Sequence, residues 1–278
     1  MRNNNLKNNW LLLFLVFYSF FPTKIFSQGD LLITPNRVVF EGRKQKETLN
    51  LLNTGIETTT YSISFVQRRM NEDGSFTSIE TPDEGQLFAD PYLRIYPRTV
   101  TLEPGEGQVV MLQFKRKPEM QDGEYRSHLY FRSEKDYTPL GNEKADSTKT
   151  LSVQLIPIFG ISIPVIIRLG YNTTVNSGIS NLKFEKTPEP TLSFKLLRSG
   201  DFSIYGNIVI DFIPDNGEPI QIGAVKGVAV YTNITERLMT IKLDSKLEDL
   251  KNGTIRVTYK SKENVKRQVV FAEGELKL

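Results

Sequence analysis

The stretch Leu151–Arg168 reads LSVQLIPIFGISIPVIIR and carries the longest β-strand pattern in the chain. Every odd position is apolar, whereas the even positions include polar residues such as Ser162 and Arg168. Because side chains alternate between the two faces of a strand, this pattern predicts one long strand with a continuously buried face. Proline cannot donate a backbone hydrogen bond, so Pro157 and Pro164 predict that this strand lies at the edge of its sheet.

Shorter alternating runs lie on both sides of this stretch. Those before it are Val38–Phe40, Thr48–Leu52, Tyr61–Val66, Leu93–Tyr96, Thr99–Leu102, Gln108–Phe114 and Gly123–Phe131. Those after it are Leu192–Leu197, Asn207–Phe212, Gly227–Tyr231, Met239–Leu243, Gly253–Tyr259 and Val265–Phe271. Turn residues separate the runs, including a hairpin-type turn at Asn71–Ser75, and no long stretch has a helical period. The pattern predicts an all-β chain of two Ig-like β-sandwich domains in tandem, at 28–170 and 171–278, with a polar exposed loop at 132–149.

The N-terminus has the layout of a secretory signal peptide. Met1–Asn9 is polar with two positive charges, Trp10–Phe21 is mostly apolar, and a small residue, Ser27, follows the break at Pro22. The apolar run is shorter than the roughly 20 residues of a transmembrane helix. We therefore predict a signal peptide at 1–27, cleaved near Ser27/Gln28, and a mature chain that is not an integral membrane protein. An uncleaved anchor or a core helix is the alternative.

Composition narrows the possible functions. The 278 residues hold 35 Lys and Arg against 32 Asp and Glu, and three of those basic residues lie in 1–27, so the mature chain is formally neutral. A neutral chain gives no electrostatic reason to expect nucleic acid as a partner. With no cysteine, disulfides and thiol catalysis are excluded, and the single histidine, His128, argues against histidine-rich metal sites and Ser-His hydrolysis. No phosphate-binding motif or metal-ligand cluster is evident, so we expect neither a cofactor nor enzymatic activity.

Five ordered segments of the first domain resemble the PapD-like periplasmic chaperones, which assemble pili and related surface fibres. They are Pro35–Phe40, Leu51–Gly55, Leu102–Gly105 with Gln108–Val110 after it, Gly123–Phe131, and the strand that ends at Arg168. The resemblance implies that this last strand inserts into an incomplete Ig-like subunit that lacks its own final strand. On this interpretation Phe159, Ile161, Ile163 and Val165 bind the subunit. The alternative is that they fill the core of their own domain.

The resemblance also assigns roles to charged residues. In the family, an arginine of the opening strand and a lysine of the last strand hold the C-terminal carboxylate of the subunit. The arginine matches Arg37, but the lysine position, four residues before Arg168, is Pro164 in this sequence. Glu103 and Arg168 match charges that link the two domains. The alternatives are a salt bridge for Arg37 and two unrelated solvated charges for Glu103 and Arg168.

The expected function is therefore that of a periplasmic chaperone that works without ATP. It would bind exported, β-rich, pilin-like subunits by strand donation, and the resemblance implies an outer-membrane usher as a second partner. Two alternatives remain at this point. One is an Ig-like interaction module of the cell envelope with no chaperone role. The other is a carbohydrate-active enzyme with two carboxylates paired in space, which a sequence cannot reveal.

Overall fold

The computed structural model describes residues 31–134, 158–170, 175–186, 189–244, 252–262 and 268–278. The predicted signal peptide and most of the predicted loop 132–149 lie outside these residues. Within them the chain is almost entirely β, with one 3-10 turn at Asp90–Tyr92. The strands in chain order are β1 (Leu31–Thr34), β2 (Val38–Phe40), β3 (Lys46–Asn53), β4 (Thr59–Val66), β5 (Arg68–Met70), β6 (Phe76–Ser78), β7 (Leu93–Tyr96), β8 (Thr99–Leu102), β9 (Gly107–Phe114), β10 (Gly123–Glu134), β11 (Gly160–Leu169), β12 (Val175–Glu185), β13 (Thr191–Gly200), β14 (Ile204–Pro214), β15 (Ile220–Val230), β16 (Glu236–Lys242), β17 (Gly253–Lys260) and β18 (Val270–Lys277). Among the residues described, no helix is long and apolar enough to cross a membrane.

The first sandwich packs a sheet of order β1-β3-β9-β7 against a sheet of order β2-β11-β10-β4-β8. Alternate side chains of each strand point into the space between the sheets, as the period-2 pattern predicts. In β3 these are Leu49 and Leu51, and in β9 they are Val110 and Leu112; all four are fully or almost fully buried. The predicted all-β sandwich is thus confirmed for this part of the chain.

The second sandwich packs a sheet of order β12-β13-β16 against one of order β15-β14-β17-β18. Strands β14 and β17 alternate buried and partly buried residues along most of their length, and the core includes Ile208, Ile210 and Val257. The last strand is displaced from the predicted run Val265–Phe271, since β18 begins at Val270 and continues to Lys277. The hydrophobic pattern did not predict this continuation, because the exposed side chains of Glu273, Glu275 and Lys277 are charged.

The hairpin β5–β6 leaves the first sandwich and reaches the second. Its tip is the predicted turn, in which Gly74 has a φ of 82° and the Asp73 side chain accepts a hydrogen bond from Ser75 N at 2.9 Å. At its base, Met70 joins Ile166 of the first sandwich and two residues of the second in a small buried cluster. The hairpin and this cluster hold the two sandwiches against each other.

Strand β11 is shorter than the strand that the alternating pattern predicts. It begins at Gly160, whereas the prediction began at Leu151; residues 151–157 lie outside the described residues. Just before it, the backbone N–H of Phe159 donates to Ser133 Oγ at 3.2 Å, and the Ser133 N–H donates to the Phe159 carbonyl at 2.9 Å. The Ser133 hydroxyl thus replaces a backbone carbonyl as the acceptor for Phe159, and the regular β10–β11 hydrogen-bond ladder ends at this point.

Candidate functional site

One edge of β11 is covered along only part of its length. The strand pairs with β10 from Gly160 to Leu169, but on its other edge β2 runs parallel to it only at Val165–Ile167. In the part of the chain that the structure describes, no strand pairs with Gly160–Pro164 on that side. Pro164 therefore lies at the end of an open edge, where a missing backbone donor is tolerated.

The four apolar residues predicted to bind a subunit do not share one environment. Ile163 is 4% exposed and Val165 is fully buried, and both belong to the core of the first sandwich. Their side chains point towards the facing sheet. For these two residues the alternative interpretation therefore holds, namely that they fill the core of their own domain. Ile161 is only partly buried at the margin of that core, and Phe159 is 44% exposed. Phe159 and Ile161 thus remain accessible to a partner.

Arg37 lies at the point where the open edge stops. It immediately precedes β2, whose first residue, Val38, is opposite Val165, so Arg37 is level with Pro164. Its guanidinium donates to the Tyr231 hydroxyl at 3.2 Å and stacks over the ring of Tyr205 at 4.4 Å. Arg37 therefore forms part of the boundary between the two sandwiches and contacts both.

A basic cavity of about 360 Å³ opens beside this point. Three arginines line it, namely Arg37, Arg68 of the hairpin and Arg237 of the second sandwich, and no acidic residue does. His128 also lines it, and burial together with nearby arginines lowers the pKa of His128 to about 3. The imidazole is therefore neutral at pH 7, and its Nδ1 has no hydrogen-bond partner among the described residues. Three arginines and no acidic residue line the cavity, so its electrostatic environment favours a negatively charged group.

A buried carboxylate links the two sandwiches near the cavity. The Glu124 side chain is fully buried and accepts hydrogen bonds from Ser203 N at 2.9 Å, Ser203 Oγ at 2.8 Å and Arg168 Nε at 3.1 Å. Arg168 also donates to the Ser203 carbonyl at 2.7 Å. One acid and one arginine of the first sandwich thus bind the same serine of the second.

The acid that pairs with Arg168 is not the one that the resemblance pointed to. Glu103 is exposed in the turn after β8, where its backbone N–H donates to the Glu106 side chain. The predicted link through Glu103 is therefore wrong, because Glu124 stands directly opposite Arg168 in the β10–β11 register. The sequence holds one signal for this pair: both residues lie near the outer ends of consecutive predicted strands, where antiparallel pairing brings them together.

No site for a metal ion emerges in the described ranges, since no three acidic or histidine side chains there are grouped to hold one. No protein-family model matches the sequence. A search of curated proteins likewise found no match.

Solved structures of bacterial chaperones are similar to this chain over most of its length. A chain of the CsuC–CsuE chaperone–tip adhesion subunit pre-assembly complex from Acinetobacter baumannii is 12% identical, with 89% of this chain and 98% of that chain covered and a TM-score of 0.44. The YadV chaperone is 14% identical, with coverages of 90% and 100% and a TM-score of 0.43. The Pseudomonas aeruginosa CupB2 chaperone is 14% identical, with coverages of 89% and 100% and a TM-score of 0.40. The chain is similar to PapD-like periplasmic chaperones of pilus assembly, the family that its first domain already resembles.

Proposed function

We propose that this protein is a periplasmic chaperone that captures exported, β-rich subunits without ATP by pairing a subunit strand with the open edge of β11. The observation that carries the proposal is the half-covered edge: Gly160–Pro164 is open in the described residues, whereas β2 covers Val165–Ile167. Unpaired strand edges bind extended peptides through backbone hydrogen bonds, and adjacent side chains set the register.

The direction of an incoming strand follows from the position of Arg37. A strand added on this edge takes the same side of β11 as β2 and stops where β2 begins. If it runs parallel to β11, its C-terminus arrives at Arg37, which suits a carboxylate. If it runs antiparallel, its N-terminal ammonium group meets the same guanidinium and is repelled. Arg37 therefore favours a parallel strand that ends in a free carboxylate.

The apolar contribution to capture comes from the start of the strand. Phe159 is 44% exposed and Ile161 is partly buried, so both have apolar surface left to lose on binding. Full burial of a large apolar side chain stabilises by about 1.5–3 kcal/mol, which gives this pair a substantial share of a binding energy that needs no nucleotide. This is the basis for proposing binding rather than catalysis as the activity.

The proposal also includes a periplasmic location and the delivery of the captured subunit. The signal peptide predicted at 1–27 supports export, and we infer a periplasmic location for the mature chain. Delivery of pilin-like subunits, with an outer-membrane usher as second partner, is the use of such a chaperone that the resemblance suggests.

Capture can be tested with Phe159→Asp and Ile161→Thr in a tagged, exported chain. Envelope proteins that co-purify with the wild type are identified by mass spectrometry, and we expect both substitutions to reduce the recovery of β-rich exported partners severalfold or more. Ile220→Asp is the matched control, because Ile220 is 51% exposed on the second sandwich, away from β11. Undiminished capture by both the Phe159 and the Ile161 variants would contradict strand donation and favour the interaction module without a chaperone role.

A further inference from the structure

We propose that the hairpin β5–β6 and the imidazole of His128 form an acid-sensitive latch between the two sandwiches. When His128 gains a proton, the hairpin separates from the second sandwich and the junction opens on that side. The inference concerns two states of this chain alone. It does not depend on strand capture, and the failure of one would leave the other standing.

The hairpin is attached to the second sandwich by hydrogen bonds between uncharged groups. The backbone N–H of Leu238 donates to the Glu72 carbonyl at 2.6 Å, and the side-chain amide of Asn233 donates to the Met70 carbonyl at 2.8 Å. Leu238 belongs to β16, the edge strand of its sheet, so the hairpin supplies the partner for this edge N–H. Neutral hydrogen bonds contribute modestly to stability, so this attachment can be broken without unfolding either sandwich.

His128 lies directly beneath the hairpin. Its neighbours in β10, Leu129 and Phe131, point into the core of the first sandwich, so His128 is on the outer face of the sheet and yet only 4% exposed. The ring of Phe76 packs edge-on against the imidazole, with ring centroids 5.4 Å apart, and lies 6.2 Å from the ring of Tyr231 in the second sandwich. Phe76 therefore covers the histidine only while the hairpin is in place.

Cations face the imidazole from every element packed around it. Arg126 lies on the same strand, Arg68 begins the hairpin, and Arg37 precedes β2. Arg237 of the second sandwich lines the same cavity as His128. A proton on the imidazole would add a fifth positive charge to this cluster, and repulsion between like charges in a partly buried site is strong.

The acidic residues of this region have other partners. Asp83 pairs with Arg69, and Asp73 accepts hydrogen bonds from the backbone N–H and hydroxyl of Ser75. Glu124 is held in the junction by the hydrogen bonds described above. No carboxylate among the described residues acts to raise the pKa of His128, so a buried imidazolium would have no counter-ion there.

These surroundings set the direction of the response to pH. Burial and the three arginines Arg126, Arg68 and Arg37 lower the pKa of His128 to about 3 in the closed state. A solvated imidazole has a pKa of about 6.5, so between these values only the open state binds the proton. Acid therefore favours opening, and the ratio of open to closed chains should rise roughly 25-fold from pH 7 to pH 5.

Amide hydrogen exchange of the mature chain tests the latch, because it detects rare open states. The reporter is the Leu238 N–H, whose partner lies on the hairpin. Its protection factor, which corrects for the intrinsic pH dependence of exchange, should fall roughly 25-fold between pH 7 and pH 5. It should also stay below the protection factor of the Val257 N–H in the central strand β17, which is exposed only when the whole sandwich opens.

Two variants identify the group that takes up the proton. His128→Gln keeps a polar side chain that gains no proton in this range, so the fall at Leu238 should shrink to less than about threefold. Glu80→Gln is the matched control, because it removes an exposed carboxylate just after β6 and should leave the fall unchanged. Thermal unfolding at pH 7 shows whether each variant is folded.

An NMR titration gives a second, independent measurement. His128 is the only histidine, so selective labelling gives one set of ring signals. Phe76→Ala removes the aromatic cover, and we expect the pKa of His128 to rise from about 3 towards its ordinary value because burial is lost. This variant leaves the histidine itself in place.

Each outcome decides for or against the latch. A protection factor at Leu238 that does not change with pH, or that falls equally in His128→Gln, would overturn it. Equal protection of Leu238 and Val257 at both pH values would also overturn it, because the junction would then open only by global unfolding. If His128→Gln does not fold, the titration decides: a raised pKa of His128 in Phe76→Ala upholds the latch, and an unchanged pKa overturns it.

Discussion

Replacing Glu124 with leucine is expected to loosen the junction of the two sandwiches. Its carboxylate is fully buried and accepts three hydrogen bonds, two from Ser203 and one from Arg168. Removing one partner of a buried ion pair costs about 3–5 kcal/mol, because the other charge stays desolvated. The Arg168 side chain keeps 19% exposure and can regain some water, so we expect the lower end, about 3 kcal/mol.

Calorimetry of the mature chain measures this loss. At roughly 2–4 °C per kcal/mol, the melting temperature of the E124L variant should fall by about 6–12 °C. Glu103→Leu is the matched control, because Glu103 is exposed and surface substitutions stay within about 0.5 kcal/mol. The double variant E124L/R168M should recover part of the loss, since it leaves no charge unpaired although the two Ser203 donors still lack their acceptor. A loss of unfolding free energy below about 1 kcal/mol for E124L, or an equal loss for E103L, would contradict this role of Glu124 at the junction.

Further predictions address the core, the buried histidine and a close backbone approach. Ile163→Ala should cost about 2–5 kcal/mol in urea unfolding, because Ile163 is buried, whereas Phe159→Ala should stay near zero; equal losses would place both in the core. Because the pKa of His128 falls to about 3 in the folded state, the unfolded state binds its proton first, and stability should decline as the pH falls from about 6.5 towards 3. His128→Gln should remove up to about 1.4 kcal/mol per pH unit of that slope in pH-dependent urea titrations, and an unchanged slope would contradict the burial. Gly206→Ala should destabilise strongly in a thermal melt, because its new methyl would overlap a backbone carbonyl of the adjacent strand, while Gly178→Ala, where the nearest atom is at 3.7 Å, should not; similar melts would contradict the pairing.

Local patterns allowed most of the strands to be predicted. Alternation in Lys46–Asn53 and Gly107–Phe114 is a property of each strand alone, and the structure has both close to where the sequence places them. The turn at Gly74 was predictable because a positive φ needs glycine or a similar residue. Pro157 and Pro164 predicted an edge strand because proline lacks the backbone donor, but β11 lies between β2 and β10 and, among the described residues, only Gly160–Pro164 is open on one side.

The parts that escaped prediction depend on partners far apart in the sequence. Alternation tells that one face of Leu151–Arg168 is buried, but not whether its own domain or another protein covers it. Arg37 and Tyr231 are 194 positions apart, and only the packing of two separately predicted domains brings them together. Arg237 gave no signal at all, because an arginine at the start of a short strand is usually a solvated charge.

The short strand β2 also limits the length of the strand that could bind under the proposed capture. Because β2 occupies Val165–Ile167, such a strand would pair only with Gly160–Pro164 before it meets Arg37. At about 3.3 Å per residue, those five positions form an open edge roughly 17 Å long that ends at β2. A longer bound strand would have to extend beyond Phe159, at the end of the open edge that lies away from Arg37. Extending β2 at its N-terminal end would shorten the open edge by one residue for each residue added, with no change to any side chain of β11.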